Sequence, residues 1–378
     1  MHILCLKVLC LCALLSCAAA SSFRLALPGY KFQFPRDHGS HPAFQTEWWY
    51  YTGHLQSASG QRFGYQLTFF RNALIPSTGK RTSRWATRDI ILGHLAITDV
   101  TGKKFYFSDR LSRGAAGLAE AEAGAPGKLP RIWLHDWTLK YSGPRGDTQH
   151  VRASAPNYSK AGATTIALDL TQRALKAPAI HGTNGVSQKS AGRGRASHYY
   201  SFTRLASSGT LRIGNQKFAV RGQSWFDHEF GSSQLAKNQI GWDWFSLQFD
   251  DGRELMLYQL RLRPKGVDPY SSGTLVEKNG RTRHLKVNQF QIQPLATWRS
   301  PHSGGDYPVR WRIVLPRENL QLEVGPSLLD QELNTTRSTN ISYWEGSIEV
   351  TGTQRGKPIR GQGYVELTGY ARAFQSTF

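Results

Sequence analysis

Beyond Cys17 the 378-residue sequence has no cysteine. The body of the chain therefore has no disulfide, no thiolate zinc ligand set and no thiol nucleophile. Long apolar runs are equally lacking: after the first 20 residues none approaches the roughly 18 needed to span a bilayer as a helix. Acids are scarce, with 26 Asp and Glu against 47 Lys and Arg, a net charge of +21. Several familiar catalytic frames are missing, among them G-x-S-x-G, the P-loop and G-x-G-x-x-G. His228-Glu229 opens an H-E-x-x-H frame, but Ser232 stands where its second histidine belongs.

What is present begins with a leader. Met1–Ala20 carries one cation, Lys7, then the apolar run Val8–Leu15, then small residues. It reads as an export signal, and two processing sites compete. Ala18-Ala19-Ala20 fits ordinary cleavage. Leu14-Leu15-Ser16-Cys17 resembles a lipobox that would leave Cys17 lipidated and the protein anchored to a membrane. Either reading places the protein in the periplasm, on the outer membrane or outside the cell. Export, together with cations spread along the whole chain, argues against nucleic acid as the partner of the basic charge. A solvated basic face and adhesion to anionic headgroups or acidic glycans both remain open. The densest run, Lys189–Arg195, sits among Gly and Ser and reads as a loop.

The body is patterned for strands. Trp48–Leu55 and Phe63–Phe70 flank the turn Ser59-Gly60, and Trp242–Phe249 and Glu254–Leu262 flank Asp251-Gly252. Asp89–Thr98 with Lys104–Phe107 forms another hairpin, and further period-2 runs continue to Thr368. The best helical stretch, Gly117–Ala123, is short. Ser112–Pro130 and Ile180–Ser197 read as long surface loops, and Ala206–Ser208 as a junction. The expected fold is all-β, with a leader over 1–20, one domain over 24–205 and a second over 206–378. Around Trp242–Phe249 both strand faces are apolar, which requires a core on one side and a cavity or second domain on the other. Antiparallel hairpins of this kind suit closed barrels that hold a ligand.

Tryptophan keeps company with titratable groups. Trp48 and Trp49 lie beside Glu47 and His54; Trp225 beside Asp227, His228 and Glu229; Trp242 and Trp244 around Asp243; Trp344 beside Glu345. A carboxylic acid walled by indole keeps its proton toward neutrality and becomes a general acid. The alternative is a structural core in which the acids accept from Trp N–H groups. On a regular strand Asp227 and Glu229 share one face and His228 the other, whereas a bulge would let all three converge. His38 and His41, three apart, offer metal ligands with Glu47, or simply hydrogen bonds that fix a loop.

The runs FPRDHGSHPAFQTEWWYYTGHL (Phe34–Leu55), GYQLTFFR (Gly64–Arg71), WFDHEFGSSQL (Trp225–Leu235), GWDWFSLQFDDGRELMLYQLR (Gly241–Arg261), YWEG (Tyr343–Gly346) and GYVELTGYA (Gly363–Ala371) closely resemble the AttH-like family, also called the carotenoid 1,2-hydratase or hydroxyneurosporene synthase superfamily. The resemblance implies two lipocalin-like antiparallel β-barrels packed together, exported, in bacteria that often encode them beside ABC-transporter components. No cofactor and no metal are expected. It implies a role for His228 and Phe230, in a D-H-x-aromatic-G motif where the hydratases carry Trp in place of Phe230. From their place beside the tryptophan clusters, together with this motif, Asp227, His228, Glu229 and Glu47 are the expected catalytic groups, with Glu47 gathered to Asp227 and His228. Trp48, Trp49, Tyr50, His54, Tyr65, Arg71, Trp225, Phe230, Trp242, Trp244, Tyr258, Trp344 and Glu345 are the expected ligand contacts. Two functions fit: acid-assisted hydration, cyclisation or hydrolysis of a hydrophobic small molecule, or carriage of a lipid to or from an envelope ABC transporter.

Overall fold

A computed structural model describes residues 22–76, 83–233 and 235–373. The leader, with both its processing sites and the Cys17 anchor, lies outside the described residues. Among the described residues strands dominate, joined by loops and three 3₁₀ turns, and no helix is long and apolar enough to cross a membrane.

Two antiparallel sheets form. The first has 13 strands. Lys104–Arg113, Asp89–Asp99, Arg62–Ala73 and Thr46–Ser57 lie in order, and Thr46–Ser57 then pairs with the distant strand Gln216–Gly231. Beyond it follow Ala196–Ile213, Thr165–Ala174, Thr148–Pro156 and Trp137–Ser142, then the short Arg131–Leu134 and Ala119–Ala121. The second sheet has ten strands, with Gln239–Phe249 at its centre between Glu254–Leu262 and Lys357–Leu367, and Ser342–Gln354 beyond the latter.

The expected hairpins are present. Gly60 (φ +83°) and Gly252 (φ +88°) make their turns in the left-handed region where a Cβ is penalised. Two closed barrels are not. The first sheet curls until Asp89–Asp99 packs on Ala119–Ala121 and Arg131–Leu134, but no ladder joins Lys104–Arg113 to that end. It is nearly closed. The second sheet is an open, strongly curled half-barrel whose ends, Thr282–Lys286 and Gln291–Arg299, stay unpaired with each other. The expected junction is also displaced. Ala206–Ser208 lies inside the continuous strand Ala196–Ile213, and the chain passes between sheets after Gly231 and before Gln239. Gly117–Ala123 supplies a three-residue strand instead of a helix.

Each sheet wraps an apolar core, and a third aromatic cluster lies where the two meet. Phe245, Leu247 and Phe249 enter the second core, while Trp244 and the partly buried Trp242 face the first sheet, as two apolar strand faces require. The sheets approach closely over Gly64, where an added Cβ would fall 2.5 Å from the Tyr364 hydroxyl and 2.8 Å from Ser347 Cβ. Gly64→Val should therefore destabilise the protein by about 1–3 kcal/mol, read as a lower midpoint in chemical denaturation.

Candidate functional site

Strands Thr46–Ser57 and Gln216–Gly231 form the wall on which the site is built. Their register sets Trp48 opposite Glu229, Trp49 opposite His228, and Tyr50 opposite Asp227. Directly opposed residues of an antiparallel pair share a face. Trp48, Tyr50, Asp227 and Glu229 thus look toward the second sheet, while Glu47, Trp49, His228 and Phe230 look into the first. The D-H-E triplet is ordinary strand without a bulge. Glu47 and His228 do meet, with Nε2 2.8 Å from Oε1. Asp227 does not join them, because strand alternation turns it the other way.

On the inner face Glu47 is the hub. Its Oε1 accepts from His41 Nδ1 at 2.7 Å as well as from His228. Its Oε2 accepts from the His41 backbone N–H at 2.8 Å and from Arg71 Nε at 3.1 Å. Arg71 also reaches Asp89 at 2.8 Å and the carbonyls of His41 and Phe44. Trp49 stacks on His228, and Phe230 stacks on His41. Burial opposes the charge on Glu47, but His41, His228 and Arg71 together hold its carboxyl well below the ordinary range. Burial lowers His228, while for His41 the nearby Glu47 and Asp37 overcome burial and raise it.

His41, Glu47 and His228 bring three ligand atoms within 4.8 Å of one another. The surroundings do not suit a metal ion. Both carboxylate oxygens already accept N–H groups, and a dication would sit beside the Arg71 guanidinium. His38, the other sequence candidate, leaves the cluster to bond Tyr200 at 2.7 Å and the Arg145 carbonyl at 2.8 Å. The inner cluster is a hydrogen-bonded clamp that ties the His41 loop to the barrel wall.

On the outer face a pocket of about 370 Å³ opens between the sheets. Trp48, Tyr50, Trp242, Trp244, Tyr258 and Tyr199 supply most of its aromatic lining. Asp227 accepts from Tyr199 Oη at 2.6 Å, Trp225 Nε1 at 2.6 Å and Ser201 Oγ. Burial outweighs these donors and pushes its pKa up to about 7. Glu229 pairs with Lys189 at 3.1 Å, and that ammonium lies 4.1 Å from the Tyr258 ring centre. Lys189, expected in a solvated loop, is only 7% exposed.

A second acid position faces the same space. Glu345 and Glu366 stand directly opposite each other on strands Ser342–Gln354 and Lys357–Leu367. Tyr50 Oη donates to Glu345 Oε1 at 2.6 Å, and Trp242 Nε1 donates to Glu366 Oε1 at 2.6 Å. Glu345 Oε2 receives no hydrogen bond, and of the two carboxyls Glu345 is the one that holds its proton more tightly and donates toward Glu366. Two opposed buried carboxylates satisfy each other only by sharing a proton. Burial raises both, Glu366 to about 7 and Glu345 well above its ordinary value.

The remaining sequence candidates fall elsewhere. Tyr65, Trp49 and Phe230 pack inside the first sheet, and Trp344 in the second core with Nε1 on the Leu329 carbonyl. His54 bonds the Gly363 carbonyl at 2.9 Å and lines a separate polar groove. Trp225 stands behind Asp227 as its donor. Arg71 borders the pocket, with its guanidinium committed to the clamp. Glu366, Tyr199 and Lys189 were missed. Glu366 had a signal, an acid between Val365 and Leu367 on a strand whose other face is core.

At the pocket rim His94, Ser338 and Asp109 suggest a nucleophile triad by type. Their order excludes one: Asp109 accepts from Ser338 at 2.6 Å and His94 Nε2 meets Ser338 at 3.0 Å, so the carboxylate orients the hydroxyl and not the imidazole. The trio clasps the two sheets together.

A solved AttH-type protein of Nitrosomonas europaea is 32% identical, covering 92% of this chain and 100% of its own, with a TM-score of 0.79. Kievitone hydratase from Nectria haematococca shares the fold at 14% identity, covering 93% and 99%, with a TM-score of 0.66. CghA does so at 12% identity, covering 93% and 97%, with a TM-score of 0.57. No curated protein matches the chain significantly. The AttH-like family pattern matches residues 25–370, and the chain belongs to the AttH-like family.

Proposed function

We propose that the inter-sheet pocket binds a small hydrophobic molecule and protonates it, as in hydration, cyclisation or cleavage of a leaving group. The observation that carries this reading is the pairing of an aromatic pocket with carboxylic acids that keep their protons near neutrality, Asp227 and Glu366. The acid donates a proton to an alkene carbon or a departing oxygen. The faces of Trp48, Trp242 and Trp244 stabilise the positive charge that develops, each by about 0.5–2 kcal/mol. In hydration, water then adds and its proton returns to the carboxylate. His228 takes no direct part, because it stands behind the wall. Kievitone hydratase is named for such a reaction, but at its low identity only the fold is shared, and the pocket itself supports the proposal.

The test is to identify apolar molecules that co-purify with the protein and to titrate them back. Tryptophan emission should shift on binding, and Asp227→Asn and Glu366→Gln should bind with near-normal affinity while turnover falls about 10²–10⁴-fold. Full binding with no turnover in the unaltered protein would establish the second reading, a carrier.

A further inference from the structure

One face of the first sheet carries an apolar row out of the pocket. Successive registers align Glu229, Trp48, Phe70, Leu92 and Leu111 across five strands. The first four line the pocket. Leu111 lies beyond it and is 45% exposed, whereas its neighbour Leu92 is 4% exposed. Two residues along, on the same face, Arg113 lies 5.5 Å from the ring centre of Trp85, and Arg84 lies 6.0 Å from it. Trp85 is 59% exposed, and Leu74, on the strand side of the Arg88 carbonyl, is 52% exposed. Neither Arg84 nor Arg113 pairs with a carboxylate among the described residues. Isolated surface leucines need no explanation, but here they continue a lined pocket into a basic, tryptophan-bearing rim.

We propose that this rim docks on an anionic phospholipid bilayer, so that the apolar ligand passes between membrane and pocket along the Leu111–Leu92–Phe70–Trp48 row. The proposal rests on the pocket reading above for its cargo and on charge complementarity for its partner. Unpaired arginines on a chain of net charge +21 favour an anionic surface. An exposed indole with two guanidinium groups near its ring matches the headgroup level, where Trp partitions with its ring toward the acyl chains. The row gives the ligand a path on which apolar surface stays covered.

The test is sedimentation of the full-length protein with phosphatidylcholine vesicles containing about 30 mol% phosphatidylglycerol, against pure phosphatidylcholine, at roughly 0.1 M salt. Binding should require the anionic lipid. Arg84→Ser and Arg113→Ser should each weaken it about fivefold, and Trp85→Ser with Leu111→Ser should remove the accompanying blue shift in emission. All four side chains are exposed, so circular dichroism should show the fold intact. Equal partition of the fourfold variant, or indifference of the unaltered protein to anionic vesicles, would overturn the proposal. Retention on a sulfated glycan column without vesicle binding would also overturn it and assign the cations to glycan. Vesicle binding without any ligand-dependent change in pocket fluorescence would retain the docking surface and refute the pocket reading instead.

Discussion

Arg71→Met should destabilise the protein by about 3–5 kcal/mol, measured by denaturant unfolding at neutral pH. The side chains of Arg71 and Glu47 are 1% and 0% exposed. Methionine fills much of the arginine volume but leaves the Glu47 carboxylate without the guanidinium that pairs with it. Two histidines then remain to neutralise it, and burial disfavours the imidazolium of His228. The Arg71→Met, Glu47→Gln double variant should recover much of the loss, because an amide placed between His41 and His228 carries no unpaired charge. A single-variant cost below about 1 kcal/mol would mean that water reaches Glu47 and that the clamp is not sealed. The pH dependence has a definite sign. The Glu47 carboxyl is held below its unfolded value, so its stabilisation is present above that value and is lost as pH falls through the folded one. The raised His41 contributes oppositely: its share is complete below its unfolded value and disappears as pH rises through the folded one.

Glu366→Gln should give the other large effect, and in the opposite direction on stability. With a folded pKa near 7 against an ordinary 4.5, Glu366 favours folding fully only below the ordinary value, and this advantage disappears as pH rises through 7. The variant lacks this titration and should gain roughly 3 kcal/mol on the unaltered protein at alkaline pH. It should also lose part of the protonated-carboxyl infrared absorption at pH 6, with Asp227 and Glu345 supplying what remains. If the absorption is unchanged in Glu366→Gln, Glu366 carries no proton at that pH and has no part as the acid.

The sequence reading was strongest where period-2 patterning and tryptophan placement act locally. The hairpins around Gly60 and Gly252, the two apolar faces of Trp242–Phe249 and the aromatic pocket all follow from alternation along single strands. Barrel closure did not follow, because it depends on how the first and last strands of a sheet meet, and Ala119–Ala121 is too short to bridge to Lys104–Arg113. The convergence of Glu47 with His228 was legible, but the inclusion of Asp227 was not, since it required a bulge that the strand lacks. The Glu345–Glu366 pair escaped because it depends on register between strands, which no single segment reveals. Lys189 was misread for a different reason. Its Gly- and Ser-rich flanks describe a loop correctly, but they say nothing of the Glu229 carboxylate and Tyr258 ring that draw the ammonium inside.

The strand Gln216–Gly231 is a partition one side chain thick, with Asp227 facing one chamber and His228 the other. Asp227 and His228 share one peptide, so a ligand whose binding shifts that peptide would be felt by an imidazole in the chamber it never enters. Its ring protons, lying over Trp49, would move in a nuclear magnetic resonance spectrum as the far chamber fills. An insertion of one residue before Trp225 would exchange the chambers' contents, setting imidazole among the acids and carboxylates against the Arg71 cluster.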